Sequence, residues 1–411
     1  MPFFRGSFTG LSRVYRGSPA GRCEFGTLFV AKQVANSLTS LLVFFLFHLN
    51  LPTTMKKFFL LCLTGAMVLC VQPSEACTGI SLRSEDGSPV IARTIEWAGS
   101  DLNSRYVVVP RGYRQRSYTP SGQKDGMRFA AKYGYVGLAV ERDEFVVDGM
   151  NEAGLAAGLF YFPQYGEYAP FDSTLVDESI SDMQVVSWLL SRCASVDEAV
   201  SALQRVQIIA TDPRGSTVHW RIADRTGKQV VVEVIAQQIR FYENTLGVLT
   251  NSPAFDWHLT NLNNYINLRA GAIPRAQVGE LSLQAFGGGG GLHGLPGDMT
   301  PPSRFVRAAF FQATAPTLPT ATETVMQAFH ILNNFDIPVG IQFAEGETLP
   351  NIPSATQWTI ATDLKGGRLY FRTMYNSRIR CLDLERIDFR KVTFRSAPLD
   401  NSRTEQIEMV W

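Results

Sequence analysis

This chain lacks a bias of charge. Thirty-eight lysines and arginines face 37 aspartates and glutamates, for a formal charge of +1. No basic footprint for nucleic acid or a membrane surface is present. Cysteine is scarce, at six residues, and no two have C-x-x-C spacing. Cys23, Cys62 and Cys70 lie early; Cys77, Cys193 and Cys381 are spread over the rest. That leaves an odd number after residue 76, which argues against a disulfide scaffold and a zinc cluster. The chain has no G-x-S-x-G elbow, no H-E-x-x-H and no G-K-[ST] phosphate loop. The glycine run Gly287–Gly291 has no lysine after it and reads as a loop. No metal or cofactor is implied. Histidine is also sparse, and His219, His258 and His293 are scattered. A Cys–His dyad stays open but nothing in the spacing favours it. The apolar stretch Leu41–Phe47 is too short to span a bilayer comfortably.

What is present begins at Met55. Lys56-Lys57, an apolar run from Phe58 to Val71 and then Pro73-Ser74-Glu75-Ala76 form the pattern of a secretion signal. Small residues at Ser74 and Ala76 place the cut before Cys77. The expectation is an upstream extension over 1–54 from a misassigned start, a signal peptide over 55–76, and a mature exported domain over 77–411. That domain would begin with a cysteine, which carries a nucleophilic thiol and a free α-amine on one residue. The rival is a lipoprotein cysteine, acylated after cleavage, in a secreted binding protein without chemistry. Glu75 fits that signal badly. Cys193 reads as core in an amphipathic helix.

Within 77–411, strands are expected at Thr78–Leu82 and Pro89–Arg93 around an Asp86-Gly87 turn. More follow at Arg105–Pro110, Tyr135–Val140, Glu144–Asp148 and Leu155–Tyr161. Helices are expected at Asp182–Arg192 and after Ser195, where Ser195-x-x-Glu198 is a capping pattern. Strands return at Thr217–Ala223, Gln229–Ala236, Ile239–Glu243 and Leu246–Leu249, then helices over Phe255–Leu268, from Ser303 onward behind Pro301-Pro302, and over Ala321–Leu332. The end reads as strands at Gln357–Asp363, Leu369–Tyr375 and Arg380–Leu384. Runs of strands and runs of helices without a βαβ rhythm indicate an α+β fold in layers.

Five blocks, in order, then carry a resemblance. They are Cys77-Thr78-Gly79-Ile80, Ala92-Arg93-Thr94-Ile95-Glu96-Trp97, Asp148–Leu155, Gly247–Pro253 with Phe255-Asp256-Trp257-His258, and Gly294–Asp298 with Pro302–Phe305. Together they resemble the choloylglycine hydrolase family, N-terminal-nucleophile amidases that include bile salt hydrolases and penicillin V acylases. The resemblance implies a four-layer αββα sandwich of two antiparallel sheets and a homotetramer. It implies Cys77 as nucleophile, Arg93 beside its sulfur, Asn251 as side-chain donor to the oxyanion, and Arg304 as a second active-site arginine. Glu96 stands where the family has an aspartate beside the terminal amine. Tyr161 stands where the family's backbone N–H donates to the oxyanion. Arg93 is expected to lower the thiol pKa. Trp97, Phe160, Tyr161, Tyr165 and the rest of the Tyr165–Phe171 loop are expected to line an apolar acyl pocket. The implied substrate is a small-molecule amide: a conjugated bile salt first, with penicillin V and acyl-homoserine lactones as alternatives.

Overall fold

The computed structural model describes residues 76–212 and 215–411. The expected upstream extension and all of the expected signal segment except Ala76 lie outside the described residues.

The described residues open with a hairpin of β1 (Ala76–Arg83) and β2 (Pro89–Glu96). Asp86-Gly87 makes its turn, with Gly87 at φ +81°, a conformation glycine adopts without cost. Six further strands build toward a second sheet: β3 (Arg105–Val109), β4 (Tyr135–Ala139), β5 (Val146–Asn151), β6 (Leu155–Tyr161), β7 (Val218–Asp224) and β8 (Gln229–Ile235). It also receives β9 (Gln238–Glu243) and, near the end of the chain, β13 (Arg395–Pro398). Between these come β10 (Thr356–Asp363), β11 (Arg368–Thr373) and β12 (Asn376–Asp383), which join the opening hairpin. The result is a five-stranded sheet in the order β1-β2-β10-β11-β12 and an eight-stranded sheet in the order β9-β8-β7-β6-β5-β4-β3-β13. Every pairing within both sheets is antiparallel.

Helices cover the outer faces. Helix α1 (Val185–Arg192) packs on β5 and β6, and α2 (Val196–Leu203) on β7. A short α3 (Phe255–Asn261) precedes α4 (Pro301–Thr314), which lies along β1, and α5 (Ala321–Leu332), which lies across β1, β2 and β10. The expected αββα sandwich is therefore the fold. Local chemistry explains the helix starts. Ser195 caps α2 by accepting from the Glu198 N–H, Pro301 and Pro302 occupy the first turn of α4, and Thr320 with Glu323 forms a full capping box on α5.

Several expectations shift. Leu246–Leu249 is not a strand: only Leu249 bridges, with Gly79, because the chain bends at residues 245–246 before it and at 251–253 after it. The helix expected over Phe255–Leu268 ends as α-helix at Asn261 and tightens into a 3-10 turn over Leu262–Tyr265. Cys193 sits just past the end of α1 rather than inside it, although it is core as expected.

Candidate active site

Strand register assembles the site. Cys77 pairs with Ile95 and Gly79 with Arg93. Directly opposed residues share a face and so do alternate ones, so Cys77 and Arg93 project together between the two sheets. Ala76 and Glu96 pair on the opposite, helix-side face. The Leu249–Gly79 bridge, with hydrogen bonds of 2.7 and 3.1 Å, lays the 249–251 segment against β1. Asn251 is thereby carried to Cys77.

Cys77 is 4% exposed. Its sulfur accepts from Arg93 Nη2 at 2.9 Å and from the Tyr161 backbone N–H. Its own nitrogen, in peptide linkage with the buried Ala76, donates to Asn251 Oδ1 at 2.7 Å. An amide nitrogen is no base, so in this covalent state the thiol has a positioned cation but no proton acceptor on its own residue. Burial pushes the thiol pKa up, and this outweighs the pull of Arg93, the Tyr161 N–H and Arg304, while Glu96 adds to the rise. Arg93 thus pulls the thiol pKa down as expected, but burial sets the net direction.

Arg93 is wholly buried. It donates to the carbonyls of Thr94 and Leu159, lies 3.8 Å from Asp148 Oδ2, and stacks over Phe160 at 4.0 Å. Arg304, on the first turns of α4, turns back into the protein. Its Nη1 donates to Cys77 O at 2.5 Å and Thr78 Oγ1 at 2.8 Å, and its Nη2 to Asn251 Oδ1 at 2.7 Å. A cation at a helix N-terminus opposes the dipole, and four oxygen acceptors, Met299 O included, offset that here. Burial lowers its pKa to about 10, so it stays charged at neutral pH. Asn251 thus has its Oδ1 occupied by Cys77 N and Arg304. One N–H of its amide goes to Tyr161 O at 2.7 Å, which leaves the second for another acceptor.

Glu96 is buried with Oε2 unpartnered. Burial raises it to about 7, against the pull of Arg304. It does not bond Cys77 N, which goes to Asn251 instead. Trp97 and Tyr161 meet edge to face at 6.5 Å, both partly exposed beside the site. Tyr165 is 47% exposed and tilts against Phe162. Phe160 corrects the expected pocket: it is fully buried beneath Arg93 and faces no open pocket, because β6 turns it into the space between the sheets.

The open dyad does not form. His219 is turned to Glu233 Oε1 at 3.1 Å and to Thr250 O at 3.0 Å. His258 is held to Asn251 O at 2.9 Å and stacked on Phe305, and burial lowers it to about 4. His293 is exposed. The two buried rings therefore hold the carbonyls of Thr250 and Asn251, one on each side of the Asn251 Cα, a role that sequence spacing did not reveal. Thr78, Asp148 and Arg221 were likewise not singled out. Among the described residues no group of three metal-ligating side chains could hold an ion.

The same order of residues recurs in known proteins. A family model described as linear amide C-N hydrolases, choloylglycine hydrolase family, matches residues 77–398. The chain belongs to this family. The match begins at Cys77. The hydrolase is 34% identical over 316 residues to a bile salt hydrolase/transferase of Clostridium perfringens, covering 75% of this chain and 93% of that one. Its fold superposes on a crystal structure of a variant of conjugated bile acid hydrolase from the same organism with a TM-score of 0.70, at 31% identity, over 81% of this chain and 100% of the other. Penicillin V acylase from Agrobacterium tumefaciens gives a TM-score of 0.63 at 25% identity, over 79% and 92%. The chain is thus a linear amide C–N hydrolase with the sandwich of that family.

Proposed function

We propose that the hydrolase acts as an exported enzyme whose chain is cut before Cys77, and that its substrates are conjugated bile salts. The observation that carries this reading is the cluster on Cys77: a sulfur bonded to Arg93 and the Tyr161 N–H, with the Asn251 amide beside it and the backbone nitrogen already fixed at Asn251 Oδ1. Cleavage turns that nitrogen into an amine within the same residue as the thiol. The amine takes the thiol proton and the thiolate attacks the amide carbonyl carbon. The tetrahedral oxyanion is met by the Tyr161 N–H and by the second N–H of Asn251. The C–N bond breaks, the leaving amine takes the proton, and water then hydrolyses the thioester. Glu96, with one unpartnered buried oxygen, holds the resulting ammonium as its counter-charge.

Bile salts are favoured by the sequence identity to a bile salt hydrolase/transferase over nearly that protein's whole length. Penicillin V is the second reading, favoured by the partly exposed Trp97–Tyr161 aromatic pair and by the likeness to a penicillin V acylase. Glycocholate, taurocholate and penicillin V assayed side by side on the mature chain separate them. Glycine or taurine release is expected; phenoxyacetate release without bile-salt turnover would overturn the choice. Intact mass of the exported protein separates simple cleavage from lipidation: an unmodified Cys77 terminus is expected, and a diacylated one would sink the mechanism.

A further inference from the structure

The chemistry above uses Arg93 and leaves two neighbouring buried charges without a task. Arg221 comes from β7 in the eight-stranded sheet and is 2% exposed. Its guanidinium crosses to the other sheet and donates to Ile80 O at 3.0 Å and Ala92 O at 3.3 Å, while its Nε has no partner. Asp148, from β5, is also buried, with its Oδ2 facing Arg93. Both guanidiniums lie over the ring of Phe160, at 4.0 and 5.5 Å. Two glycines keep this space open. A Cβ on Gly79 would stand 2.8 Å from Arg221 Nη1, and one on Gly158 would stand 2.6 Å from Asp148 Oδ2.

The charges do not balance. Among the described residues Asp148 is the sole acid in ion-pair range of Arg93, and Arg221 has no ion pair. Two cations therefore share one anion in a space closed to water, and an uncompensated buried charge is costly. Cys77 is the remaining group touching this set that can become an anion. On the helix side Arg304 stays charged, and Glu96, which faces it, is the titratable acid. His219 and His258 turn ring nitrogens to Glu233 and to the carbonyls of Thr250 and Asn251. We propose that Arg221 and Asp148 are positioning residues that act on Cys77 through Arg93: two guanidiniums share one carboxylate, and the positive charge left over holds the thiolate. This rests on Cys77 being the nucleophile.

The test reads the thiol directly, without an amide substrate. Mature protein carrying Cys381→Ser, which removes the exposed cysteine, is alkylated with iodoacetamide across pH, and the Cys77 peptide is quantified by mass. Arg221→Met should move the midpoint up by about one pH unit, with roughly tenfold slower alkylation below it. Asp148→Asn should move it down, because it leaves a further positive charge unmatched. Arg221→Lys should keep the midpoint near that of the parent while losing thermal stability, since the charge stays and the paired carbonyl contacts go. A purely structural role would shift none of these midpoints in opposite directions. Midpoints that stay put, or that move the same way in Arg221→Met and Asp148→Asn, overturn the proposal. If Arg221→Met does not fold, Asp148→Asn decides alone: a midpoint that stays or rises overturns it. Opposed midpoints in a protein that hydrolyses no amide would sink the functional reading and leave this one standing. Cys77-dependent hydrolysis with unmoved midpoints would do the reverse.

Discussion

At Cys77, burial and hydrogen bonding pull the thiol in opposite directions, and burial prevails while the nitrogen is an amide. On the proposed mechanism, activity depends on groups that act once that nitrogen is freed. Asn251→Ala should lower kcat by roughly 100-fold or more, the usual cost of one oxyanion donor, with a smaller effect on KM. Equal turnover in the variant would remove Asn251 from the reaction. Glu96 supplies a separate, pH-resolved expectation. Its pKa rises on folding to about 7 through burial, so the folded chain binds a proton more tightly than the unfolded one. The protonated group costs nothing below the unfolded value, and stability is lost as pH climbs toward 7. In the chain retaining the Ala76–Cys77 bond, Glu96→Gln should thus be more stable than the parent at pH 8, by up to ~3 kcal/mol, and indistinguishable at pH 4. Thermal melts at the two pH values check this; a variant less stable at pH 8 would mean that the buried carboxylate is compensated.

Among the elements, β1 does most to make the site. It carries Cys77, pairs with β2 to present Arg93, and through Gly79 bridges to the segment bearing Asn251. Gly79 has no room for a side chain, with Arg221 and the Phe160 ring in the way. Gly79→Ala should cost about 1–3 kcal/mol and lower activity as the bridge shifts; a melt unchanged from the parent would show that the neighbours yield freely. Much of this architecture is written locally. The Asp-Gly turn, the Ser195 and Thr320 caps and the proline pair of α4 announce their elements, and short apolar runs bounded by turn residues mark most sheet strands. The short pair Ser179–Ser181 with Gln207–Ile209 and the edge strand β13 are not marked, since three- or four-residue pairings carry too little pattern. The site was legible where residues fell in recognisable blocks: Cys77, Arg93, Asn251 and Arg304 do meet. Phe160 faces elsewhere than expected because the continuous apolar run Leu155–Tyr161 shows a buried strand but not which side of the sheet each residue takes. Arg221, one arginine in an apolar strand, leaves no mark in the sequence. Its meaning comes from the second sheet, which only the packing of the two layers supplies.

For the molecule as a whole, the two sheets bring β1 and β2 against β6 and β7, and Cys77 and Arg93 lie in the seam between them. On the proposed mechanism the severed Ala76–Cys77 bond is the event that completes this seam chemically. Replacing Ala76 by arginine, which a signal peptidase does not accept before its cut, should therefore give a folded chain with no amidase activity. Activity from that chain would exclude the α-amine as the base. The most direct measurement quenches active enzyme in acid during turnover of glycocholate and takes intact and peptide masses. The expected species is a chain that starts at Cys77 and carries a cholyl group on that sulfur. An acyl group on another residue, or on a chain that still holds Ala76, would contradict it.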